Sequence, residues 1–202
     1  MNTVIVATKN AHKVSEMAAL LDGVKNIRLI TMKDAGLDCE IEENGKTFKE
    51  NALIKAREVC RLTGKPAIAD DSGLSVDALG GAPGIYSARY ASEDGLNASD
   101  EANIEKLLEN LKEIPGNERT ARFVSAVALV FPDGREYCTL GVCEGLITRE
   151  KRGDGGFGYD PVFFYPAFSK TFGEMTAEEK NSISHRNRAV AQLKEIIKEI
   201  DF

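Results

Sequence analysis

A long alternating segment in the middle of the chain constrains the fold more than any other feature. Every second residue of 123–131 is apolar apart from Ser125, which is the period of a β-strand. The turn sequence Pro132-Asp133-Gly134-Arg135 follows, and a second extended segment runs to about Thr148. The two segments predict an antiparallel hairpin, so at least part of the sheet must be antiparallel.

The first part of the chain alternates between strand and helix patterns instead. Residues 3–7 form a short, apolar and β-branched run that is typical of a buried strand, and residues 26–31 predict a second strand. Between them, four residues follow the spacing of one buried helix face: Val14, Met17, Ala18 and Leu21. Together with the central hairpin, this alternation predicts an α/β fold with a mixed sheet.

The remaining elements follow from end signals and periodicity. Residues 47–50 have a capping-box pattern that opens a helix predicted to reach about Leu62, and a second such pattern lies at residues 176–179. Residues 66–71 predict a buried strand, followed by a short extended piece. Further helices are predicted at residues 100–112 and at the C-terminus. No repeat or linker interrupts these patterns, so we expect a single domain over residues 1–202.

The composition limits the partners that we expect. The 26 basic and 32 acidic residues give a net charge of −6, whereas a nucleic-acid groove or a membrane surface usually needs a basic excess. No segment reaches the ~20 apolar residues of a membrane span, and the apolar run at the N-terminus is too short for a signal peptide. The cysteines show no metal-ligand spacing: Cys39, Cys60, Cys138 and Cys143. We expect a cytoplasmic protein with reduced thiols and with no nucleic-acid or membrane partner.

Residues 8–13 (TKNAHK) connect a predicted buried strand to a predicted helix. The free N–H groups at a helix N-terminus favour anions, and Thr8, Asn10 and Lys13 add hydrogen-bond donors and positive charge. The segment is therefore a candidate phosphate site. The alternative is simple capping of the helix by Asn10, and the segment taken alone favours it.

Two acidic pairs are candidates for metal-binding and catalytic groups. Asp70-Asp71 follows an apolar run, at the strand end where α/β proteins usually place such groups. Because neighbouring side chains of a strand point to opposite faces, Asp71 should share a face with Ala69, and Asp70 should point the other way. Mg²⁺ often takes only one or two carboxylates besides phosphates, so one acid from each pair would suffice. A turn is the alternative for both pairs, and the sequence favours an exposed turn for Glu42-Glu43.

The glycine-rich residues 153–158 match the dinucleotide-binding pattern GxGxxG literally. That fingerprint needs a buried strand before it and a helix after it. Here three charged residues precede it, and Pro161 disfavours a helical conformation at Asp160. We therefore expect a loop whose glycines let the backbone approach a ligand, with Phe157 as a stacking face; a flexible hairpin loop is the alternative.

The last polar cluster lies at residues 180–186 (KNSISHR). Ser184 is placed to cap the final helix, which would put His185 and Arg186 in its first turn. Cations there oppose the helix dipole, so we interpret them as groups that hold an anion or a carbonyl oxygen. Surface residues at a helix start are the alternative. Phosphate donors, paired acids, an aromatic loop and this cluster together match the needs of a nucleoside polyphosphate.

Taken in order, these segments resemble the inosine/xanthosine triphosphate pyrophosphatases, a Ham1-like family that acts on non-standard purine nucleotides. The resemblance runs from Thr8-x-Asn10-x-x-Lys13 to Ser184-His185-Arg186. Its most specific stretches are residues 69–74 (ADDSGL), 80–90 (GGAPGIYSARY) and 155–161 (GGFGYDP). Lys9 and His12 stand where many relatives have glycine, but neither removes a needed group.

The resemblance implies a two-lobed α/β fold with a strongly twisted mixed sheet, a homodimer, and Mg²⁺-dependent hydrolysis of ITP, dITP and XTP. The products would be a monophosphate and pyrophosphate, which cleanses the nucleotide pool. Asp71 is implied as general base and, with Glu43, as metal ligand. The implied substrate contacts are Thr8, Asn10, Lys13 and Lys55 on the triphosphate, Ser72, the stacking loop of Phe157, Gly158, Tyr159 and Asp160, and the purine-reading Lys180, His185 and Arg186.

Two other functions remain open at this stage. One is a pyrophosphatase of modified pyrimidine nucleotides, similar to the Maf-type proteins. The other is a nucleotide-binding sensor that does not hydrolyse its ligand. The presence of both Glu43 and Asp71 favours hydrolysis over the sensor.

Overall fold

The computed structural model describes residues 2–24 and 27–200. Seven strands lie in these residues: Asn2–Val6 (β1), Ile27–Thr31 (β2), Ala67–Val76 (β3), Thr120–Val130 (β4), Glu136–Ile147 (β5), Phe163–Tyr165 (β6) and Lys170–Thr171 (β7). The described part of the chain also contains these α-helices: Ala11–Leu21 (α1), Phe48–Thr63 (α2), Asp100–Asn110 (α3), Ala177–Ile183 (α4) and His185–Glu199 (α5). Asn26, where the sequence predicted a strand to begin, lies outside the described residues.

The strands form one mixed sheet in the order β2-β1-β3-β4-β5-β6-β7. β1 is parallel to both β2 and β3, whereas β6 is antiparallel to both β5 and β7. A tight turn joins β4 to its neighbour β5, and in it the Phe131 N–H donates to the Arg135 carbonyl at 2.9 Å. The predicted α/β fold with a mixed sheet is therefore confirmed.

The chain divides into two compact units. Unit 1 comprises Met1–Asp71, Ser125–Gly141 and His185–Phe202, and unit 2 comprises Ser72–Val124 and Val142–Ser184. Unit 2 has one core, in which α3 packs with an aromatic group whose Phe123 and Phe163 rings lie 4.6 Å apart between centroids. Burial of these apolar side chains is the main stabilising contribution within the unit.

Unit 1 has two cores, one on each face of its strands. Val4 and Ile68 pack with residues of α1 and α5, whereas Ile5 and Ala67 pack with residues of α2. Successive strand residues thus enter different cores, because side chains alternate between the faces of a strand. Strands that are buried on both faces read as continuous apolar runs, as residues 3–7 do.

β3 continues past the acidic pair, so the prediction that a strand ends at Asp71 is wrong. The strand runs to Val76, and Leu74 and Val76 are buried. Two neighbouring carboxylates suggest a turn when only local sequence is considered. They remain within the strand because cations from other elements pair with both of them, as described below.

The helix ends show where local signals were sufficient. The capping box of Thr176 and Glu179 forms as predicted and opens α4. Thr47 caps α2 by accepting from the Glu50 N–H, but the Glu50 carboxylate accepts from Lys46 instead of completing the box. Ser184 is the C-cap of α4, and α5 begins at the next residue.

Two smaller predictions have different outcomes. In α1, Ala18 is exposed and Leu20 is buried instead, so the predicted helix face was slightly displaced. The four cysteines are free thiols, as expected. Among the described residues, every helix is too short or too polar to span a bilayer.

Candidate active site

A buried lysine lies between two carboxylates in unit 1. Lys55 belongs to the face of α2 that also buries Ala52 and Ala56, so its stem is packed in the core and its ammonium reaches the acids. The Lys55 Nζ lies 2.9 Å from Asp71 Oδ1 and 3.1 Å from Glu43 Oε2. We call Glu43, Lys55 and Asp71 the acid–lysine cluster.

The charges of the acid–lysine cluster shift one another's pKa values. Burial raises the pKa of Asp71 to about 6, against the opposing positive charges of Lys55 and Lys13. Burial also acts to raise the pKa of Glu43, but the charges of Lys55 and Lys13 and the hydrogen bonds with Asp71 and Lys55 together outweigh it, and the pKa is lowered. Burial acts to lower the pKa of Lys55, but the charges of Asp71 and Glu43 outweigh it and raise the pKa. At neutral pH the cluster therefore holds two negative charges and one positive charge.

Asp71 has one oxygen that its protein neighbours leave unused. Oδ1 accepts from Lys55, whereas Oδ2 is buried and has no hydrogen-bond partner in the described part of the chain. Such an oxygen is costly unless a ligand satisfies it. Residues 2–24 and 27–200 contain no group of three or more His, Cys, Asp or Glu that could enclose a metal. A site of two carboxylates fits Mg²⁺, which usually keeps waters and phosphate oxygens as its other ligands.

The Asp70 carboxylate lies on the opposite face of β3 and has different partners. Ser125 donates to its Oδ1 at 2.6 Å, and the Arg186 Nη2 donates to its Oδ2 at 3.1 Å. The Lys13 Nζ lies 2.9 Å from the same Oδ2. Burial by itself would raise the pKa of Asp70, but the charges of Arg186 and Lys13 hold it well below its usual value. The predicted alternation of Asp70 and Asp71 is confirmed.

Arg186 is one of the most deeply buried charged side chains. It is 1% exposed, and its guanidinium contacts Asp70 and Glu16, the latter from α1. His185 is also buried, so the alternative of surface residues at a helix start is wrong. The sequence predicted an anionic partner for Arg186, and the carboxylates of Asp70 and Glu16 are such partners within the protein. A contact of Arg186 or His185 with a purine stays a prediction.

The start of α1 is capped by its own side chains. The Asn10 Oδ1 accepts from the Lys13 N–H at 3.1 Å, and the Thr8 Oγ1 accepts from the Asn10 N–H at 3.2 Å. Capping by Asn10, the alternative to a phosphate site, is thus present. The Lys13 ammonium forms an ion pair with Asp70, and its positive charge also acts to lower the pKa of Asp71. Contacts of Thr8, Asn10 and Lys13 with a triphosphate stay predictions.

In unit 2, a second buried lysine organises the glycine loop. The Lys180 Nζ lies 2.7 Å from Asp160 Oδ2, an oxygen that also accepts from the Phe157 N–H at 3.0 Å. The ammonium is 4.8 Å from the centroid of the Phe157 ring, within cation–π range. Lys180 and Asp160 are buried, whereas Phe157 is only half-buried. A planar ligand could therefore stack on this ring.

Hydrogen bonds and one glycine fix the path of the loop. Gly156 has φ +76°, and a Cβ there would collide with the Asp160 carboxylate. The Gly158 N–H donates to Asp100 Oδ2 at 2.6 Å, and the buried Tyr159 hydroxyl donates to the Ser87 carbonyl at 2.9 Å. A short 3₁₀ turn, Asp160–Val162, follows the loop. The rejection of a dinucleotide fingerprint is confirmed, because the loop opens no α-helix.

Comparisons with known proteins match this arrangement over nearly the whole chain. The sequence profile of the Ham1 family matches residues 4–196. The chain belongs to the Ham1 family. It is 51% identical over 195 residues to the dITP/XTP pyrophosphatase of Geobacter sulfurreducens, covering 96% of both chains. It is 50% identical over 197 residues to the dITP/XTP pyrophosphatase of Escherichia coli K12, again covering 96% of both. A solved HAM1 protein from Coxiella burnetii superposes with a TM-score of 0.88 at 42% identity, covering 99% of this chain and 100% of that one.

The Ham1 family membership confirms the resemblance drawn from the sequence. The structure corrects a separate expectation, the exposed turn that local sequence favoured for Glu42-Glu43. Glu43 is not part of an exposed turn: it is half-buried and contacts Lys55, whereas Glu42 beside it is exposed. Ser72, the next residue of β3 after Asp71, is half-buried at the start of unit 2. Its predicted substrate contact remains a prediction.

Sequence reasoning missed two polar residues that contact Asp70 or Arg186 in this Ham1 protein. Ser125 is fully buried on β4, where it donates to Asp70, and Glu16 lies on α1 and contacts Arg186. Ser125 had a visible signal, because it is the one polar residue at alternate positions of an apolar strand. Glu16 had none, since an acid on a surface helix is ordinary.

Proposed function

We propose that this protein hydrolyses non-standard purine nucleoside triphosphates, namely dITP, ITP and XTP, to the monophosphate and pyrophosphate. The observation that carries the proposal is the acid–lysine cluster, with the buried Asp71 Oδ2 left unsatisfied by the protein. The proposal is supported by relatives at 50% and 51% identity that are named dITP/XTP pyrophosphatases. We propose one domain over residues 1–202 as the active unit.

Glu43 and Asp71 are the residues proposed to hold Mg²⁺. Bound there, the ion would neutralise phosphate charge and polarise the phosphoryl group toward attack. The negative excess of the acid–lysine cluster favours a cation, and the residues do not enclose it, which leaves ligand positions for phosphate oxygens. The same two acids without a cation would repel a triphosphate, so divalent metal should be essential.

Asp71 is proposed to accept the proton of the attacking water. With a pKa of about 6 in the metal-free protein, Asp71 is ionised at neutral pH, and an ionised carboxylate can accept a proton from water. Attack on the α-phosphorus breaks the bond to the bridging oxygen, and pyrophosphate leaves with that oxygen. Lys55 and Lys13 would stabilise the negative charge that develops on the phosphates, with Thr8 and Asn10 as further donors.

The base is proposed to stack on Phe157, within the loop of Gly158, Tyr159 and Asp160. Lys180, His185 and Arg186 are proposed as donors to the purine. A 6-oxo purine presents an acceptor to such donors, whereas the 6-amino group of adenine presents hydrogen against hydrogen. Selection against ATP would follow from the unpaired donors that ATP leaves.

We further propose a homodimer in the cytoplasm with no nucleic-acid partner, on the family resemblance and the acidic net charge of −6. Sedimentation equilibrium of the purified protein tests the dimer directly. A mass near one 22.0 kDa chain across the micromolar range would exclude it.

One assay tests the activity. Pyrophosphate and orthophosphate release are measured from dITP, ITP, XTP, GTP, ATP and dUTP, with Mg²⁺ and with excess chelator. We expect pyrophosphate from dITP, ITP and XTP, and only with Mg²⁺. Preference for modified pyrimidine nucleotides would instead support a Maf-type enzyme, and stoichiometric binding of ITP without product in a single turnover would support a sensor.

A further inference from the structure

The metal-site residue Glu43 lies on a segment that has no regular structure of its own. Within the described residues, 37–45 belong to no helix or strand, and residues 38–46 take part in no backbone-to-backbone hydrogen bond. A ladder of hydrogen bonds therefore does not position the Glu43 backbone. Cys39 and Ile41 of the segment pack against the core that contains α2 residues, and further contacts come from polar side chains that bind the segment from outside.

Those side chains come from the first turns of α2. The buried Asn51 accepts from the Gly45 N–H through its Oδ1 at 2.8 Å. One residue further on, the Lys46 N–H donates to Glu50 Oε2 at 2.6 Å. Two consecutive N–H groups, beginning two residues after Glu43, are thus bound to α2.

The packing around Gly45 is as specific as the hydrogen bond. A Cβ at Gly45 would lie 2.6 Å from Asn51 Oδ1 and 2.7 Å from Glu50 Cβ, closer than real Cβ atoms approach. Gly45 has no unusual φ, so the close approach to Asn51 is what favours glycine here. The segment and the helix are therefore matched to each other.

Asn51 also lies one helical turn before Lys55, on the same face of α2. The helix thus presents two groups that contact Glu43 or its segment: Lys55 contacts the carboxylate, and Asn51 binds the Gly45 N–H two residues further on. We propose that Asn51 is a positioning residue of the metal site, which through Gly45 fixes the segment that carries Glu43. This inference rests on the proposed function, because it assumes that Glu43 is a metal ligand.

The test separates the acceptor oxygen from the rest of the side chain. Asn51→Leu removes the acceptor at similar volume, whereas Asn51→Asp retains it. The Asn51 Nδ2 has no partner in the described part of the chain, so Asn51→Asp breaks no hydrogen bond that the structure contains. The added negative charge by itself attracts a cation, so simple charge repulsion would not explain weaker Mn²⁺ binding in this variant.

Gly45→Ala is an independent test that leaves the α2 side chains unchanged. Its Cβ must displace the segment from Asn51. Gly116→Ala is its matched control, since Gly116 has an ordinary φ and open space around its Cβ position. Asn103→Leu is the control for Asn51→Leu, because Asn103 is equally buried and also binds a loop N–H through Oδ1, in unit 2.

The measurement is the dissociation constant of Mn²⁺, used alone as a probe and followed by the EPR signal of free Mn²⁺. Urea unfolding checks that each variant is folded. Loss of a group that orients a metal ligand usually costs about 10–100-fold in affinity. We expect Asn51→Leu and Gly45→Ala to weaken Mn²⁺ binding by about tenfold or more. Asn51→Asp and both controls should stay within about threefold of wild type.

The outcomes also separate the inference from the proposed function. Wild-type affinity in folded Asn51→Leu or Gly45→Ala would overturn the inference, as would an equal loss in Asn51→Asp and Asn51→Leu. Failure of the wild-type protein to bind Mn²⁺ would reject the metal site itself and the inference with it. Absent ITP hydrolysis with normal Mn²⁺ binding would reject only the proposed activity.

Discussion

Asp70 and Asp71 are neighbours on β3, yet their carboxylates bind different cations on opposite faces of the strand. Asp70 contacts Lys13 and Arg186, whereas Asp71 contacts Lys55. Asp70 therefore has its hydrogen-bonding and charge needs met by the protein, while Asp71 has a buried oxygen available to a ligand. The difference predicts opposite mutational signatures for two adjacent acids.

Asp71→Asn should abolish most activity while leaving the protein folded. Loss of a general base lowers kcat by at least ~100-fold. We expect Asp70→Asn to lower kcat less, because Asp70 does not belong to the acid–lysine cluster. Steady-state kinetics with ITP at saturating Mg²⁺ measure both. Equal losses of kcat in two folded variants would contradict the division of roles.

Asp70→Asn should instead reduce stability, and the reduction should depend on pH. The pKa of Asp70 in the folded protein lies well below the ordinary 3.8. The unfolded chain therefore binds a proton as the pH falls toward 3.8, while the folded protein does not. The ionised Asp70 therefore stabilises the folded protein fully above pH 3.8, and this contribution is lost as the pH falls through the pKa of Asp70 in the folded protein.

Urea unfolding of wild type and Asp70→Asn from pH 7 to pH 3 tests this sign. The free-energy difference should be constant in the neutral range and should shrink below about pH 4. Asp133→Asn is a suitable control, because Asp133 also has a lowered pKa but is exposed on a turn. If the difference in unfolding free energy between wild type and Asp70→Asn grows at acid pH, the lowered pKa of Asp70 is not its cause.

Arg186→Ala should affect both stability and base selection. Removal of one member of a buried ion pair costs about 3–5 kcal/mol, since Asp70 and Glu16 lose their partner. If Arg186 also donates to the 6-oxo group, kcat/KM for ITP should fall by about tenfold or more while the rate with ATP barely changes. Glu16→Gln is the comparison, because it weakens the ion pair but retains the guanidinium. In a variant that urea unfolding shows to be folded under assay conditions, a uniform fall with all nucleotides would place Arg186 among the phosphate contacts.

Phe157→Ala should raise KM for every purine nucleotide. Stacking of a base on an aromatic ring contributes about 1–3 kcal/mol, which corresponds to roughly 5–150-fold in affinity. Phe168→Ala is the control, because Phe168 is 39% exposed and lies outside the glycine loop. The test compares KM for ITP and XTP in Phe157→Ala and in Phe168→Ala with the wild-type values. An unchanged KM in Phe157→Ala would remove the ring from the base site.

Local sequence was sufficient for the features that depend on local physics. The capping box at Thr176, the strand periods and the tight turn after β4 all formed as predicted, since each depends on residues a few positions apart. The mixed α/β sheet followed from the same patterns. The residues of the candidate site were named from their types together with the family resemblance, and their roles stay predictions.

Tertiary structure decided which of those groups meet and which are buried. Arg186 and Asp70 are 116 positions apart in the sequence, and only folding brings the guanidinium within hydrogen-bond distance of the carboxylate. The same long-range pairing keeps Asp70 and Asp71 inside β3, where the sequence favoured a strand end, and makes Glu43 a half-buried partner of Lys55. A carboxylate's role depends on the charges that surround it after folding, and those charges come from distant elements whose contacts no local pattern encodes.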